Sequence, residues 1–147
     1  VTTSDPVVFA FFNEIGIIDQ LAQSRLAKVL PDGLLVPHFT LLNHLVRIGE
    51  GRSPVDIARA FQITKGAVTN TLQRLEARGL VTLAPDPDDG RAKRVFLTAE
   101  GRATRERCIA AVADLFADVQ APLGDAAFAD VLPFLRDLRQ RLDKARG

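Results

Sequence analysis

The chain has no Trp, no Tyr and no Met, and one cysteine in 147 residues. A single thiol, Cys108, cannot close an intrachain disulfide, so burial and hydrogen bonds must hold the fold, which agrees with a reducing compartment. The only two histidines, His38 and His44, are six residues apart. They do not share a helix face, and with one cysteine they make a poor set for a transition metal. Neither a metal nor a cofactor is expected. The longest apolar run, Val7 to Phe12, is far short of the roughly 20 residues a membrane span needs, and no basic flank precedes it as a secretory signal requires. A cytoplasmic protein without a membrane partner is expected. Catalytic parts are missing too: there is no Gly-rich phosphate loop, no supported Ser/His/Asp or Cys/His set, and no paired carboxylates with a reason to shift. The chain is not read as an enzyme.

What is present is a globular composition, 47% apolar and 25% charged, in a chain long enough for one core or for a small reading head with a dimerisation element. Net charge is only +1, but residues 52–107 hold 11 Lys and Arg against 7 Asp and Glu, while the flanks hold 8 against 11. The middle is the basic part, and a basic middle in a near-neutral chain suits a nucleic-acid partner.

Residues 7–30 repeat apolar side chains on one helical face (Val8, Phe11, Phe12, Ile15, Ile18, Ala22, Leu26, Val29), and Phe9, Ile17 and Leu21 widen that stripe beyond what a surface helix of a monomer needs. Pro31-Asp32-Gly33 ends it. A second helix is predicted from Pro37 to Gly49. Ser53 then caps a short helix with Val55, Ile57, Ala58 and Phe61 facing inward. Gln62-Ile63 turns the chain, and Thr64 caps a further helix with Val68, Leu72 and Leu75 inside and Gly79 at its end. Leu80 to Leu83 and Val95 to Leu97 read as two strands around a hairpin turn at Asp89-Gly90. Thr98 caps a long helix running to about Val119. The last helix carries Phe128, Val131, Leu135, Leu138 and Leu142 at the spacing of a coiled-coil seam.

Two short helices joined by a tight turn and followed by a two-stranded ribbon make a winged helix-turn-helix. The fold class predicted is mainly α with a small β-wing. Residues 37–99 form the winged part, and 1–36 and 100–147 form dimerisation helices, within a single 1–147 assembly. At 100° per residue, the face opposite Val68, Leu72 and Leu75 presents Gly66, Asn70, Gln73 and Ala77, flanked by Thr69 and Arg74. Asn and Gln can pair two-pronged with adenine, and Arg with guanine; Lys65, in the first turn, is placed for phosphate. On the ribbon, Arg91, Lys93 and Arg94 suit a narrow minor groove, and Asp89 is placed to brace the Arg91 guanidinium.

These residues resemble the multiple antibiotic resistance regulator (MarR) family. The wing pattern of Asp89, Arg91, Leu97 and Thr98, the following Ala99-Glu100-Gly101, and the stretch Val68 to Val81 are similar to the family's wing, long-helix start and recognition helix. Asn70 stands where the family often has Arg, and Gln62 where the turn often has Gly. The resemblance implies a homodimer whose first and last helices interlock, each copy presenting a winged helix to one half of a pseudo-palindromic operator in double-stranded DNA. It further implies a small aromatic or anionic effector bound between the dimer region and the reading heads. The function expected is that of a transcription regulator, read as a repressor, although the sequence itself leaves repression and activation both open. Phe9, Phe11, Phe12 and Phe39 are candidate pocket residues, with Arg47 as an anchor for an anion. The blander readings are that phenylalanines fill the core, that Arg47 is a solvated surface residue, and that Cys108, on the Cys108, Val112, Leu115 and Val119 stripe, is core packing rather than a redox switch. The rival to a DNA reader is a winged helix used for protein contact alone.

Overall fold

The computed structural model describes residues 4–146. It contains helices α1 (Val7–Val29), α2 (Val36–Ile48), α3 (Pro54–Phe61) and α4 (Lys65–Ala77), strands β1 (Val81–Pro85) and β2 (Lys93–Leu97), and helices α5 (Ala99–Ala113), α6 (Ala117–Leu123) and α7 (Asp125–Ala145). This is the mainly helical fold with a small β-wing that the sequence predicts. One compact unit ends at Val112 and a second begins at Ala113. Among the described residues no helix is long and apolar enough to cross a membrane.

The core of the first unit lies between α2, α3, α4, the sheet and α5. Leu42, Leu45, Ile57, Val68, Leu72, Leu75, Val81, Val95 and Cys108 are all almost fully buried there. Each such Leu, Ile or Val stabilises the unit by about 1.5–3 kcal/mol, so this small set fixes how the short helices sit. The predicted caps at Ser53 and Thr64 are in place: the Ser53 hydroxyl accepts the Asp56 N–H at 3.1 Å, and the Thr64 hydroxyl accepts the Ala67 N–H at 3.1 Å. Gln62 takes the left-handed conformation at φ 54°, the geometry that makes Gly common in such turns.

The strands pair antiparallel with Val81 opposite Leu97 and Leu83 opposite Val95, as their alternation predicts. A third edge was not foreseen. Gly51 donates to the Val95 carbonyl at 2.8 Å and Val95 donates to that of Arg52 at 2.9 Å, so the segment before α3 clasps β2. Thr98 locks the base of the wing: its hydroxyl donates to the Gly79 carbonyl at 2.6 Å and accepts the Gly101 N–H at 2.9 Å.

A 3-10 turn at Pro31–Gly33 joins α1 to α2, with Asp32 left-handed at φ 60°. Its carbonyl accepts from Arg78 at 2.9 Å, and its carboxylate meets Arg107 at 3.0 Å. The turn therefore ties the end of α4 to α5. Arg107 also reaches Glu100 at 3.1 Å, and these two carboxylates raise its already high pKa.

Three expectations are corrected. Val55 is exposed, not inward. In a helix this short, Ile57 and Ala58 already fill the inner face. The helix after the wing stops at Ala113 and restarts at Ala117, with Phe116 non-helical at φ −112°, ψ 17°; residues 114–116 contain neither Gly nor Pro and so carried no break signal. The strands are longer than predicted, ending at Pro85 and starting at Lys93, and residues 86–92 join them with the predicted turn at Asp89-Gly90 inside that loop. Ala92 N–H bonds the Asp89 carbonyl and Asp86 N–H bonds the Ala92 carbonyl, both at 3.0 Å.

Candidate nucleic-acid interface

Burying Val68, Leu72 and Leu75 fixes the rotation of α4. Lys65, Gly66, Thr69, Asn70, Gln73 and Arg74 are consequently exposed. A Cβ added at Gly66 would meet nothing nearer than the Thr64 hydroxyl at 4.0 Å, so packing within the chain does not require glycine there.

The wing stands beside this face. Lys65, Thr69 and Gln73 of α4 and Asp89, Arg91 and Lys93 of the wing line one groove of about 450 Å³, together with Ser53, Pro54 and Val55 at the start of α3. Six of the ten residues picked from the sequence therefore share one cleft. Gly66, Asn70 and Arg74 lie on α4 outside its lining. Arg94 is turned elsewhere: its Nε donates to Asp86 at 3.1 Å, and it is part-buried. The Asp88 N–H and the Arg94 side chain hold the Asp86 carboxyl below its ordinary pKa. Asp89 does not brace the Arg91 guanidinium as predicted. Its carboxylate accepts the backbone N–H of Arg91 at 3.0 Å, an Asx turn that shapes the loop and leaves the Arg91 side chain exposed.

Sequence reasoning missed Glu50, whose carboxylate accepts the Leu97 N–H at 2.6 Å and pairs with Arg102 at 2.9 Å, bracing the end of the wing against α5. It also missed Ser53 and Val55 as groove residues, having read the one only as a cap and the other as core.

The candidate effector residues are spread out. Phe39 is buried in the core, Phe9 and Phe12 are exposed on α1, and Arg47 is exposed at the end of α2. Phe11 and Phe12 meet edge to face with centroids 5.7 Å apart. The remaining polar candidates serve the fold. His38 Nδ1 accepts the Leu35 N–H at 3.0 Å and so caps α2, while the His44 ring packs against Phe61 at a 55° tilt with centroids 4.8 Å apart. Cys108 is fully buried, and burial, reinforced by the Asp32 carboxylate, pushes its thiol up against the opposing pull of Arg107. That is the reverse of an activated thiolate.

Known proteins share this arrangement. The model of the MarR family matches residues 32–92. The HTH-type transcriptional repressor Rv2887 of Mycobacterium tuberculosis is 32% identical over 118 residues, 80% of this chain and 79% of that protein. The transcriptional activatory protein BadR of Rhodopseudomonas palustris is 28% identical over 138 residues, 92% of this chain and 78% of that protein. A mutant MarR from E. coli, solved in complex with operator DNA, has a TM-score of 0.72 at 25% identity, covering 92% of this chain and 99% of that one. With the winged helix, the family model over residues 32–92 and a repressor 32% identical over most of both chains, the chain belongs to the MarR family of transcription regulators.

Proposed function

We propose that the chain is a sequence-specific DNA-binding repressor that acts as a homodimer on a pseudo-palindromic operator and is relieved by a small-molecule ligand. The observation that carries the reading is the single groove shared by Lys65, Thr69 and Gln73 of α4 and Arg91 and Lys93 of the wing. A major groove admits one helix, and a wing beside that helix reaches the adjoining minor groove. Asn70 and Gln73 read base edges, Lys65 holds phosphate, and Gly66, Thr69 and Arg74 border them. Asp89 shapes the wing that presents Arg91 and Lys93, and Arg94 steadies it. In this reading residues 37–99 are the DNA-binding part, and 1–36 and 100–147 are the dimerisation helices.

Selecting DNA from random fragments with the purified protein identifies the operator. On it, Gln73→Ala is expected to cost about 1–3 kcal/mol, and much less on random DNA. Lys65→Ala should weaken both alike and make the salt dependence shallower by roughly one unit of slope. Identical behaviour of the two variants on operator and random DNA would put the wrong face of α4 in the groove.

A further inference from the structure

The attachment of α1 is concentrated at its C-terminal end. No described side chain of the helix is buried, and near its end Leu26 and then Leu30 pack partly against the core. The direction of α1 is therefore decided at the turn that follows. There Asp32 at φ 60° and Gly33 at φ 69° are successive left-handed residues, and both of their carbonyls meet one guanidinium. Arg78 donates from Nη1 to the Asp32 carbonyl at 2.9 Å and from Nη2 to the Gly33 carbonyl at 3.4 Å. Arg78 is the C-cap of α4. The Asp32 carboxylate accepts from Arg107 at 3.0 Å, and Arg107 is held on α5 by Glu100 at 3.1 Å and Thr104 at 3.0 Å. Two arginines from different helices thus grip one turn.

A gap beside the turn makes that grip matter. The turn, the chain entering β1 and α5 surround a cleft of about 330 Å³, with Arg78, Arg107, Asp32 and Glu100 around Leu34 and Leu80. Across it the tie is made by these hydrogen bonds. Exposed ion pairs contribute little to unfolding free energy, but a forked guanidinium fixes direction, which non-directional apolar contact does not. A long helix amplifies any change of direction. With 23 residues, α1 is about 34 Å long, so a tilt of about 10° at the turn moves its far end by about 6 Å. That approaches two base-pair steps of DNA, about 3.4 Å each.

We propose that the turn at Asp32, gripped by Arg78 and Arg107, is the joint that sets the spacing of the two α4 helices in the homodimer, with Arg78 as its positioning residue. The proposal rests on a dimer built through α1, and on the DNA-binding reading only for its consequence at the operator. Arg78 touches no base in this account. It acts by holding the end of α4 to the turn from which α1 departs.

Spin labels read the spacing without DNA. Asn70→Cys puts one label on the exposed face of each α4, and Cys108, fully buried, stays unlabelled. Pulsed dipolar spectroscopy on the full chain is expected to give one main distance. Adding Arg78→Ala should broaden it by about 6 Å, the reach of a tilt of about 10°, with the helical circular dichroism retained. Arg78→Lys, which keeps the charge without the fork, should fall between the two. On unlabelled protein the operator supplies a second readout. One base pair inserted between the half-sites should cost the unaltered protein about tenfold in affinity, because heads in fixed register cannot follow it. Arg78→Ala should bind the operator more weakly, lose less than about threefold further on the insertion, and keep its affinity and salt slope on an isolated half-site. An unchanged distance distribution in Arg78→Ala, or no pair distance because the chain is a monomer, would overturn the proposal. So would a half-site affinity that falls in Arg78→Ala with a shallower salt slope, since Arg78 would then be a phosphate contact. A distance that broadens as expected in a protein that selects no DNA would keep the joint and remove the repressor reading.

Discussion

At Gly101 the first turn of α5 passes so close to the chain leading into β1 that a Cβ would run into the carbonyl oxygen of Leu80. Neither side yields easily: Leu80 donates to the Leu75 carbonyl at 3.0 Å and accepts from Thr98 at 3.1 Å. Gly101→Ala is therefore expected to lose about 3 kcal/mol through overpacking. Urea unfolding checks this, and an unshifted midpoint would contradict it. The histidines set a pH dependence of the opposite sign to that of a salt-bridged histidine. Burial first, then Arg78 and Arg74, lower the pKa of His38 from 6.5, and burial, Arg52 and Arg47 lower that of His44. Below pH about 6.5 the unfolded chain takes up these protons before the folded one, so stability present at neutral pH is lost as pH falls towards the lowered folded values. Unfolding free energies measured between pH 7.5 and 5 should decline. His44→Leu should flatten part of that decline, because Nε2 of His44 is buried with no hydrogen-bond partner among the described residues. A flat profile in the unaltered protein would count against both histidines.

Within the wing, two arginines three residues apart have separate tasks. Arg91 is exposed on the groove with its backbone held by Asp89, whereas Arg94 is spent on Asp86. Arg91→Ala is expected to leave the thermal midpoint unchanged and to weaken operator binding strongly. Arg94→Ala should lower unfolding free energy by up to about 1 kcal/mol, the range for a partly exposed ion pair, with a smaller loss at DNA. Fluorescence anisotropy on the selected operator, paired with thermal melts, separates the two. If Arg94→Ala is the more damaging at DNA without a stability loss, the assignments are reversed.

On the scale of the whole molecule, α1 and α7 each leave a run of apolar surface open, which supports the proposed homodimer. On α1, Val7, Val8, Phe9, Ile18 and Leu21 are each more than half exposed, and on α7 Phe128, Val131, Leu132, Phe134 and Leu142 are all open. A second copy covering these faces is the occupant that the proposed homodimer supplies. Sedimentation at micromolar concentration is expected to give twice the 16.0 kDa chain mass. Leu135→Asp should shift the balance towards monomer by placing an unpaired charge in the seam. A clean monomer in the unaltered protein would remove the dimer from the account.

The sequence by itself determined the elements whose signals are local. The Ser53 and Thr64 caps each act over three residues, the Val68, Leu72 and Leu75 stripe over two turns, and the alternation of Val81, Leu83, Val95 and Leu97 along each strand. From these followed the exposed face of α4 and hence most of the candidate interface. Tertiary structure alone decided the rest. Arg52 clasping Val95, Glu50 on Leu97, and Asp32 joining Arg78 to Arg107 link residues tens of positions apart. It also redirected Arg94 to Asp86, whereas the Asx turn at Asp89 is local and the break at Phe116 carried no Gly or Pro signal. Periodicity and capping describe neighbours along the chain. Which distant groups meet depends on how the elements pack, and that packing is set by burying the whole core at once.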